Sequence, residues 1–253
     1  MGRGHRPGDR RDRCGGPLAD PSRAADHLRT ESGGALIEAT AKRQRLRITY
    51  RIDGPLRYIS NLEQMRVWER TIRRAGLPLS YSGGFNPRPR LQIGAALPVG
   101  FAADAEWMDI WLVEPTAPEA VRDALARAAP EGLEVVRVDE VDLGEPALPR
   151  QVRAAEYEVV VETERSLEEI HRRIDGLLAA QSLPRQRRGR PYDLRPLIHR
   201  LWIQAEQPGT VVLGMVLAAR EGATGRPEEV LDELGLAEGF FRVRRRRLLT
   251  GEG

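Results

Sequence analysis

RLRITYRIDGPLRYISNLEQMRVWERTIRRAG, residues 45–76, joins a strand pattern to a helix pattern. Residues 45–52 alternate polar and apolar side chains, which is the period of a strand with one buried face. Ser60 and Glu63 have the spacing of a capping box, and Gly76 follows the last helical residue as a stop. The predicted helix has an apolar face and, opposite it, a basic face made of Arg66, Arg70, Arg73 and Arg74.

The rest of the chain extends this unit and then repeats it. Strands are predicted at about 90–97, 106–114 and 133–139, with a helix opened by Thr116 and Glu119 before the last of them. The same order recurs from residue 154 to the closing strand FFRVRRRR, with Ser166 and Glu169 opening its first helix. We therefore predict an α+β protein of two tandem ferredoxin-like (βαββαβ) domains, residues 44–140 and 154–253, joined by a linker over 141–153. Residues 1–43, rich in Gly, Arg, Asp and Pro, are expected to be a disordered leader or a misassigned start.

Composition limits the classes of function. The chain has 253 residues, a formal net charge of +3 and 40 Lys and Arg residues, of which Lys42 is the lone lysine. Cys14 is the single cysteine, which excludes disulfides and cysteine-rich metal or iron–sulfur sites within the chain and fits a reducing cytoplasm. No apolar run of ~18 residues and no secretory pattern appears, so neither a membrane partner nor export is indicated.

Alternation in the first and third strands places arginines beside aromatic residues on the sheet face away from the helices. Arg45 and Arg47 share this predicted open face with Trp107, Trp111 and Asp109. Single-stranded RNA binding uses such a combination, because cations neutralise phosphates while bases stack on rings. The alternative is that the two sheets pack against each other and the tryptophans fill the interface.

Two further basic clusters occur in the second half, RQRRGRPYDLRP with Arg187 and Arg188, and RVRRRR with Arg244 and Arg246. Because like charges repel, the closing strand is expected to face a polyanion or a carboxylate-rich partner. A solvated basic surface is the alternative.

The loop YSGGFNPRPR, residues 81–90, contains aromatic residues and arginines that a turn does not require. Its motif residues are Ser82, Gly83, Gly84, Phe85, Asn86 and Pro87. We expect Phe85 and Asn86 to fold back on the LPVG turn at 97–100, and Arg88 and Arg90 to reach the same edge as Arg70, Arg73 and Arg74 and bind phosphate. The alternative is that Phe85 and Asn86 lock a tight loop against the core.

Catalytic signatures are sparse. There is no phosphate-binding loop, dinucleotide fingerprint or zinc helix, and no metal site is predicted. His199 could serve as a general base, although a lone histidine is more often structural. Tyr81 and Asp109 are further weak candidates.

Residues 58–110 carry an ordered set of motifs: Ser60 opening the helix, Arg73 and Arg74 near its end, the 81–87 loop, Leu97 to Gly100, and Glu106. This region resembles the radical-SAM-linked proteins, a bacterial family whose members are encoded beside, or fused to, cobalamin-binding radical SAM proteins. The resemblance implies a radical SAM partner that carries the iron–sulfur cluster, SAM and cobalamin, with no cofactor in this chain. Asn61 and Arg88 stand where relatives have histidines, which argues against catalysis here.

These features give three hypotheses. The first is a noncatalytic RNA-binding or substrate-presenting accessory module acting with a radical SAM enzyme on tRNA or rRNA. The second is an RNA-processing or RNA-modifying enzyme, and the third is a protein-only adaptor for an acidic partner. The predicted RNA-binding residues are Arg45, Arg47, Arg66, Arg70, Arg73, Arg74, Tyr81, Arg88, Arg90, Trp107, Arg187, Arg188, Arg244 and Arg246.

Overall fold

Residues 43–251 are described by the structure, which is a computed structural model. They belong to one unit that comprises Ala39–Gly253. The leader predicted for residues 1–43 therefore lies outside the described residues, apart from Arg43. The strands are β1 (Gln44–Ile52), β2 (Leu91–Ile93), β3 (Ala102–Leu112), β4 (Leu133–Val141), β5 (Ala154–Glu162), β6 (Pro184–Arg187), β7 (Arg190–Asp193), β8 (Ile198–Gln207), β9 (Thr210–Arg220), β10 (Ala223–Thr224) and β11 (Phe241–Leu249). The α-helices are α1 (Asn61–Arg74), α2 (Pro118–Ala128), α3 (Leu148–Gln151), α4 (Leu167–Ala179) and α5 (Pro227–Glu233).

Helix α1 is fixed at its start by the predicted capping box. The Ser60 hydroxyl accepts from the Glu63 N–H, and the Glu63 carboxylate accepts from the Ser60 N–H at 2.8 Å. The helix packs through Trp68, which is 1% exposed and meets Tyr50 of β1 edge-on with ring centroids 4.9 Å apart. Leu62, an apolar residue of the first turn, is 62% exposed, because the buried residues of the helix begin two positions later, at Gln64.

Strands of both halves form one nine-stranded sheet. In the first half the order is β4-β1-β3-β2, and in the second half it is β11-β5-β9-β8, with β10 also on β9. Every pair is antiparallel except β11–β3, where Arg244 lies opposite Ala102. The protein is thus a mixed α/β structure with a large, mostly antiparallel sheet and few helices.

The halves meet edge to edge within this sheet. The alternative in which the two sheets pack face to face is therefore wrong. One hydrophobic core extends over both halves and includes Ile48 and Trp68 from the first and Val159 and Leu213 from the second. The division into two domains at residues 141–153 stays a prediction, although the strands before and after this segment belong to one sheet.

Two local predictions differ from the structure. The predicted capping box of Thr116 and Glu119 is not formed. Helix α2 has Ala117 as its N-cap residue without a side-chain cap, because the Thr116 N–H donates to the Gln44 side-chain oxygen Oε1 at 2.9 Å. Strand β2 is limited to Leu91–Ile93.

The basic segment near residue 188 forms the β6–β7 hairpin, in which Arg188 and Gly189 both have positive φ, as a two-residue hairpin turn requires.

Candidate nucleic-acid interface

The outward side of α1 carries four arginines, Arg66, Arg70, Arg73 and Arg74, which we call the α1 arginine face. All four are exposed, because Trp68 and Ile72 take the opposite side of the helix to the sheet. Among residues 43–251 none of them forms an ion pair. Four like charges along one helix face, without counterions in the described structure, create a positive electrostatic potential that attracts an anion.

A groove of about 550 Å³ runs beside this face. Arg70, Arg73 and Arg74 line it together with the apolar residues Leu56, Val67 and Pro130. Guanidinium groups beside an apolar floor can bind a phosphate while the floor contacts a sugar or base. The structure thus brings together three of the arginines that the sequence placed in one cluster.

The 81–90 loop is a short projecting hairpin. The Ser82 N–H donates to the Arg88 carbonyl at 2.8 Å, and the Arg90 N–H donates to the Ser80 carbonyl at 2.8 Å. Gly84 has a φ of 111°, a value that favours glycine at the tip. Arg88 is exposed without an ion pair in the described structure, whereas the Arg90 Nε donates to the Tyr81 carbonyl at 3.0 Å.

Phe85 at the tip of this hairpin is fully exposed, at 106% relative accessibility. It does not fold back on the 97–100 turn, and it does not lock the loop against the core. Both expectations were wrong because the two backbone hydrogen bonds close the hairpin without help from the phenyl ring. The phenyl ring is therefore free to contact another molecule.

Arg45 and Arg47 are not on an open face. The buried Asp109 carboxylate accepts from the Arg45 Nε at 2.8 Å and from the Arg47 Nε at 2.8 Å. Arg45 is 1% exposed, because its guanidinium also donates to the Glu145 carbonyl at 2.7 Å and to the Pro146 carbonyl at 2.9 Å. The segment after β4 therefore covers this part of the sheet, and the geometry gives Arg45 no access to RNA.

The two tryptophans of β3 complete this internal cluster. Trp111 is 7% exposed and lies 5.2 Å from the Arg45 guanidinium, and Trp107 is half-buried, 5.6 Å from the Arg47 guanidinium. Such cation–π contacts use the rings for packing within the protein. Stacking of a base on Trp107 is correspondingly restricted.

Four of the five arginines of the closing strand β11 pair with carboxylates of the same chain, and Arg242 forms no ion pair within the described residues. Arg244 donates to Asp53 Oδ2 at 2.7 Å and to Asp104 Oδ1 at 2.8 Å. Arg246 pairs with the other oxygen of Asp104 at 2.7 Å, and Arg247 pairs with Glu156 at 2.8 Å. These pairs supply counterions for most of the positive charge of the strand, so an external polyanion is not needed to neutralise it. Sequence reasoning missed these pairs because they join strands that are distant in the chain.

Arg245, in the middle of β11, is buried with Glu106 of β3. The guanidinium Nε donates to Glu106 Oε1 at 2.6 Å, and both side chains are 2% exposed. Burial opposes the positive charge, but the adjacent Glu106 carboxylate outweighs it and raises the pKa of Arg245 above its ordinary value. Glu106, one of the motif residues, thus has a structural ion pair that the sequence did not indicate.

The basic hairpin β6–β7 is partly neutralised in the same way. Arg187 pairs with Glu229 of α5 at 2.6 Å, and Arg185 pairs with Glu233 at 2.8 Å. Arg188, at the turn, is exposed and has no ion pair within residues 43–251. Arg188 therefore remains available for an anion, whereas Arg187 is held by the protein.

Two of the three weak catalytic candidates, Asp109 and His199, do not come together. Asp109 lies on β3 and His199 on β8, four strand positions apart in the sheet, which is about 19 Å at the usual spacing of strands. Asp109 already accepts from two arginines, so it has no oxygen free for acid–base work. Within the described residues, no three His, Cys, Asp or Glu side chains cluster as metal ligands would, and no helix there is long and apolar enough to cross a membrane.

Comparison with known proteins gives one family and distant structural likeness. A family model described as uncharacterized protein conserved in bacteria (DUF2344) matches residues 45–227. No curated protein matches the sequence. Similar solved structures include a Cbf5–Nop10–Gar1 complex, at 11% identity and a TM-score of 0.45 over 79% of this chain and 48% of that chain. Another is an H/ACA RNP bound to a substrate RNA containing 2′-deoxyuridine, at 12% identity and a TM-score of 0.44 over 85% of this chain and 49% of that chain. This chain spans about half the length of the chains that it matches.

Proposed function

The chain belongs to the DUF2344 family of bacterial proteins, and we propose that it is a noncatalytic RNA-binding module that presents RNA to a partner enzyme. The observation that carries the proposal is the α1 arginine face, which has four exposed guanidinium groups without counterions in the described structure. The basic residues of β1, β11 and β6–β7 are largely neutralised by carboxylates of the same chain. The surface that attracts RNA is therefore narrower than the arginine content of the sequence suggests.

Phosphate is the ligand that this face fits best. An RNA backbone presents phosphates in series, and exposed guanidiniums in series bind them by charge-assisted hydrogen bonds. Nearby in the chain, Phe85 and Arg88 supply a ring for base stacking and a further cation. This combination favours a single-stranded or looped segment of tRNA or rRNA over a regular duplex, since only unpaired bases can stack on a ring.

The partner in this proposal is a cobalamin-binding radical SAM protein. Support comes from the resemblance of residues 58–110 to the radical-SAM-linked proteins. The iron–sulfur cluster, SAM and cobalamin are then bound by the partner, since Cys14 is the single cysteine of this chain. We interpret each half, with its βαββαβ order and matching strand arrangement, as a ferredoxin-like unit fused to the other through β11 and β3.

The test compares two triple variants with equal loss of charge. The first is Arg70→Gln, Arg73→Gln, Arg74→Gln, and the control is Arg122→Gln, Arg137→Gln, Arg172→Gln, which removes exposed arginines that are paired within the protein. Fluorescence anisotropy with a labelled single-stranded RNA and with tRNA is measured over a salt series. The first variant should lose affinity, and its salt slope should fall by about 2, or ~0.7 per lost phosphate contact.

Two results would overturn the proposal. One is equal affinity and slope for wild type and both variants. The other is a tagged protein that captures an acidic partner after nuclease treatment while binding no RNA in solution, which is the behaviour of a protein-only adaptor.

A further inference from the structure

A cleft of about 780 Å³ opens where the two halves of the sheet meet, and we call it the junction cleft. One wall is the turn with Ala95 and Leu97 that follows β2, and the opposite wall is the segment from Arg220 to Glu228 that leads from β9 into α5. Asn61, the first residue of α1, also lines the cleft. Its volume is in the range of sites for small organic ligands, which often lie where two structural units join.

The base of the junction cleft is held rigid by the buried pair on β11 and β3. Beyond its bond to Glu106, the Arg245 guanidinium donates to the Ala95 carbonyl at 3.0 Å and to the Ala96 carbonyl at 3.1 Å. The first wall is therefore fixed before any ligand binds. Tyr157, also at the base, is 3% exposed, and its burial raises the pKa of its hydroxyl, which stays protonated. A preformed wall reduces the entropy lost on binding.

Two acceptor atoms of the lining have no hydrogen-bond partner among the described residues. They are Asn61 Oδ1 and Glu228 Oε2, and both are covered from solvent. A buried acceptor without a donor is unfavourable by about 1–3 kcal/mol, so such atoms in a folded protein need an explanation. Rotation of each side chain toward the cleft would let a ligand with N–H or O–H donors supply the missing partner.

Other residues of the cleft favour an anionic group. Arg220 and Arg226 line it, are exposed, and have no ion pair within residues 43–251. Of the four arginines that line the cleft, Arg187 and Arg245 are paired with Glu229 and Glu106, which leaves Arg220 and Arg226 to bind an anion beside Glu221 and Glu228. The cleft therefore combines acceptors for a donor-bearing group with free guanidiniums for an anionic group.

We infer that the junction cleft binds one nucleoside 5′-monophosphate unit, with its base or sugar donors toward Asn61 and Glu228 and its phosphate toward Arg220 and Arg226. A nucleotide has donors at one end and a phosphate at the other, and its size fits the cleft. The unit is either a free nucleotide or one nucleotide of an RNA strand. This inference does not depend on RNA binding by the α1 arginine face, which is a different surface.

The experiment titrates the full chain with the four nucleoside 5′-monophosphates, their nucleosides and inorganic phosphate in a calorimeter. At least one monophosphate should bind more tightly than its nucleoside and than phosphate. The double variant Arg220→Gln, Arg226→Gln should weaken that binding about tenfold or more, since it removes both phosphate contacts. Asn61→Leu should weaken the monophosphate and its nucleoside alike, and the Arg70, Arg73, Arg74 triple variant should bind the monophosphate as wild type does.

Competition identifies the source of the nucleotide. If a single-stranded RNA displaces the monophosphate, the cleft receives one nucleotide of a bound strand; if both bind together, the ligand is free. The inference is overturned if no monophosphate binds at millimolar concentration and the Arg220, Arg226 variant binds RNA as wild type does. Loss of RNA binding in the α1 variant with monophosphate binding kept would separate this site from the proposed RNA surface.

Discussion

Arg245 and Glu106, which are 139 positions apart in the chain, form a buried ion pair between the two halves of the sheet, with both side chains 2% exposed. Removing one member leaves the other charged and buried, which typically costs about 3–5 kcal/mol. Arg245→Gln or Glu106→Gln should therefore lower the free energy of unfolding strongly, as measured by urea denaturation. Arg246→Gln, whose side chain is 47% exposed, is the matched control and should lose less than ~1 kcal/mol. An unchanged urea midpoint for Arg245→Gln would contradict the assigned pair.

Trp68 of α1 and Trp107 of β3 should respond differently to truncation. Trp68 is 1% exposed, so Trp68→Ala removes a ring from the core and should cost ~3–5 kcal/mol. Trp107 is half-buried beside Arg47, so Trp107→Ala should cost clearly less. Equal losses in chemical denaturation would show that Trp107 belongs to the core.

Phe85 should matter for binding and not for stability. Because the ring is fully exposed, Phe85→Ala should leave the thermal midpoint unchanged. If the ring stacks on a base, the same change should weaken RNA binding by ~1–3 kcal/mol. Phe240→Ala, which removes another exposed ring, is the control. An RNA affinity that is the same in both variants would remove Phe85 from the interface.

Gly214 has a packing role that only the structure shows. It lies opposite Trp202 in the β8–β9 pair, and a Cβ added to it would be 2.1 Å from the indole Cε2. Gly214→Ala should therefore displace the indole, lower the thermal midpoint and shift the tryptophan fluorescence. Gly83→Ala serves as the control, since a Cβ there meets nothing within 4 Å. A variant with the wild-type midpoint and spectrum would contradict this packing.

Acid should weaken the attachment of β11 to the first half. The hydrogen bond from Arg244, with that from the Gly54 N–H, lowers the pKa of Asp53 below its ordinary value. A lowered carboxyl pKa contributes stability that is present above the unfolded value of about 4 and is lost as the pH falls through the folded value. The thermal midpoint should thus decrease as the pH is lowered below ~4, and Asp53→Asn should reduce this acid dependence. The effect is modest because the Asp53 side chain is 44% exposed.

Local features of the fold were predictable, because they depend on neighbouring residues. The alternation in β1 and the Ser60–Glu63 capping box predicted the first strand and helix, and both are present. Thr116 and Glu119 have the same spacing, yet Gln44, a residue distant in the chain, binds Thr116 instead. A local motif thus fails where a long-range contact is stronger.

The candidate site was predictable only in part for the same reason. Helical periodicity correctly placed Arg70, Arg73 and Arg74 on one exposed face. The arginines of β1 and β11 look alike in sequence, but whether each meets a carboxylate depends on the register between strands. Without that register, Arg45 and Arg245 cannot be distinguished from surface arginines.

The parallel pairing of β11 with β3 also determines when the first half can be completed. Because Glu106 precedes Arg245 by 139 positions, a ribosome exposes β3 long before it has synthesised the strand that covers it. During that interval the start of β3, at Ala102 and Ala103, lacks its β11 partner, and the Glu106 carboxylate has no partner guanidinium, which disfavours its burial. The first half is therefore expected to remain loosely packed until translation reaches β11, so that its final packing is a late event with high contact order.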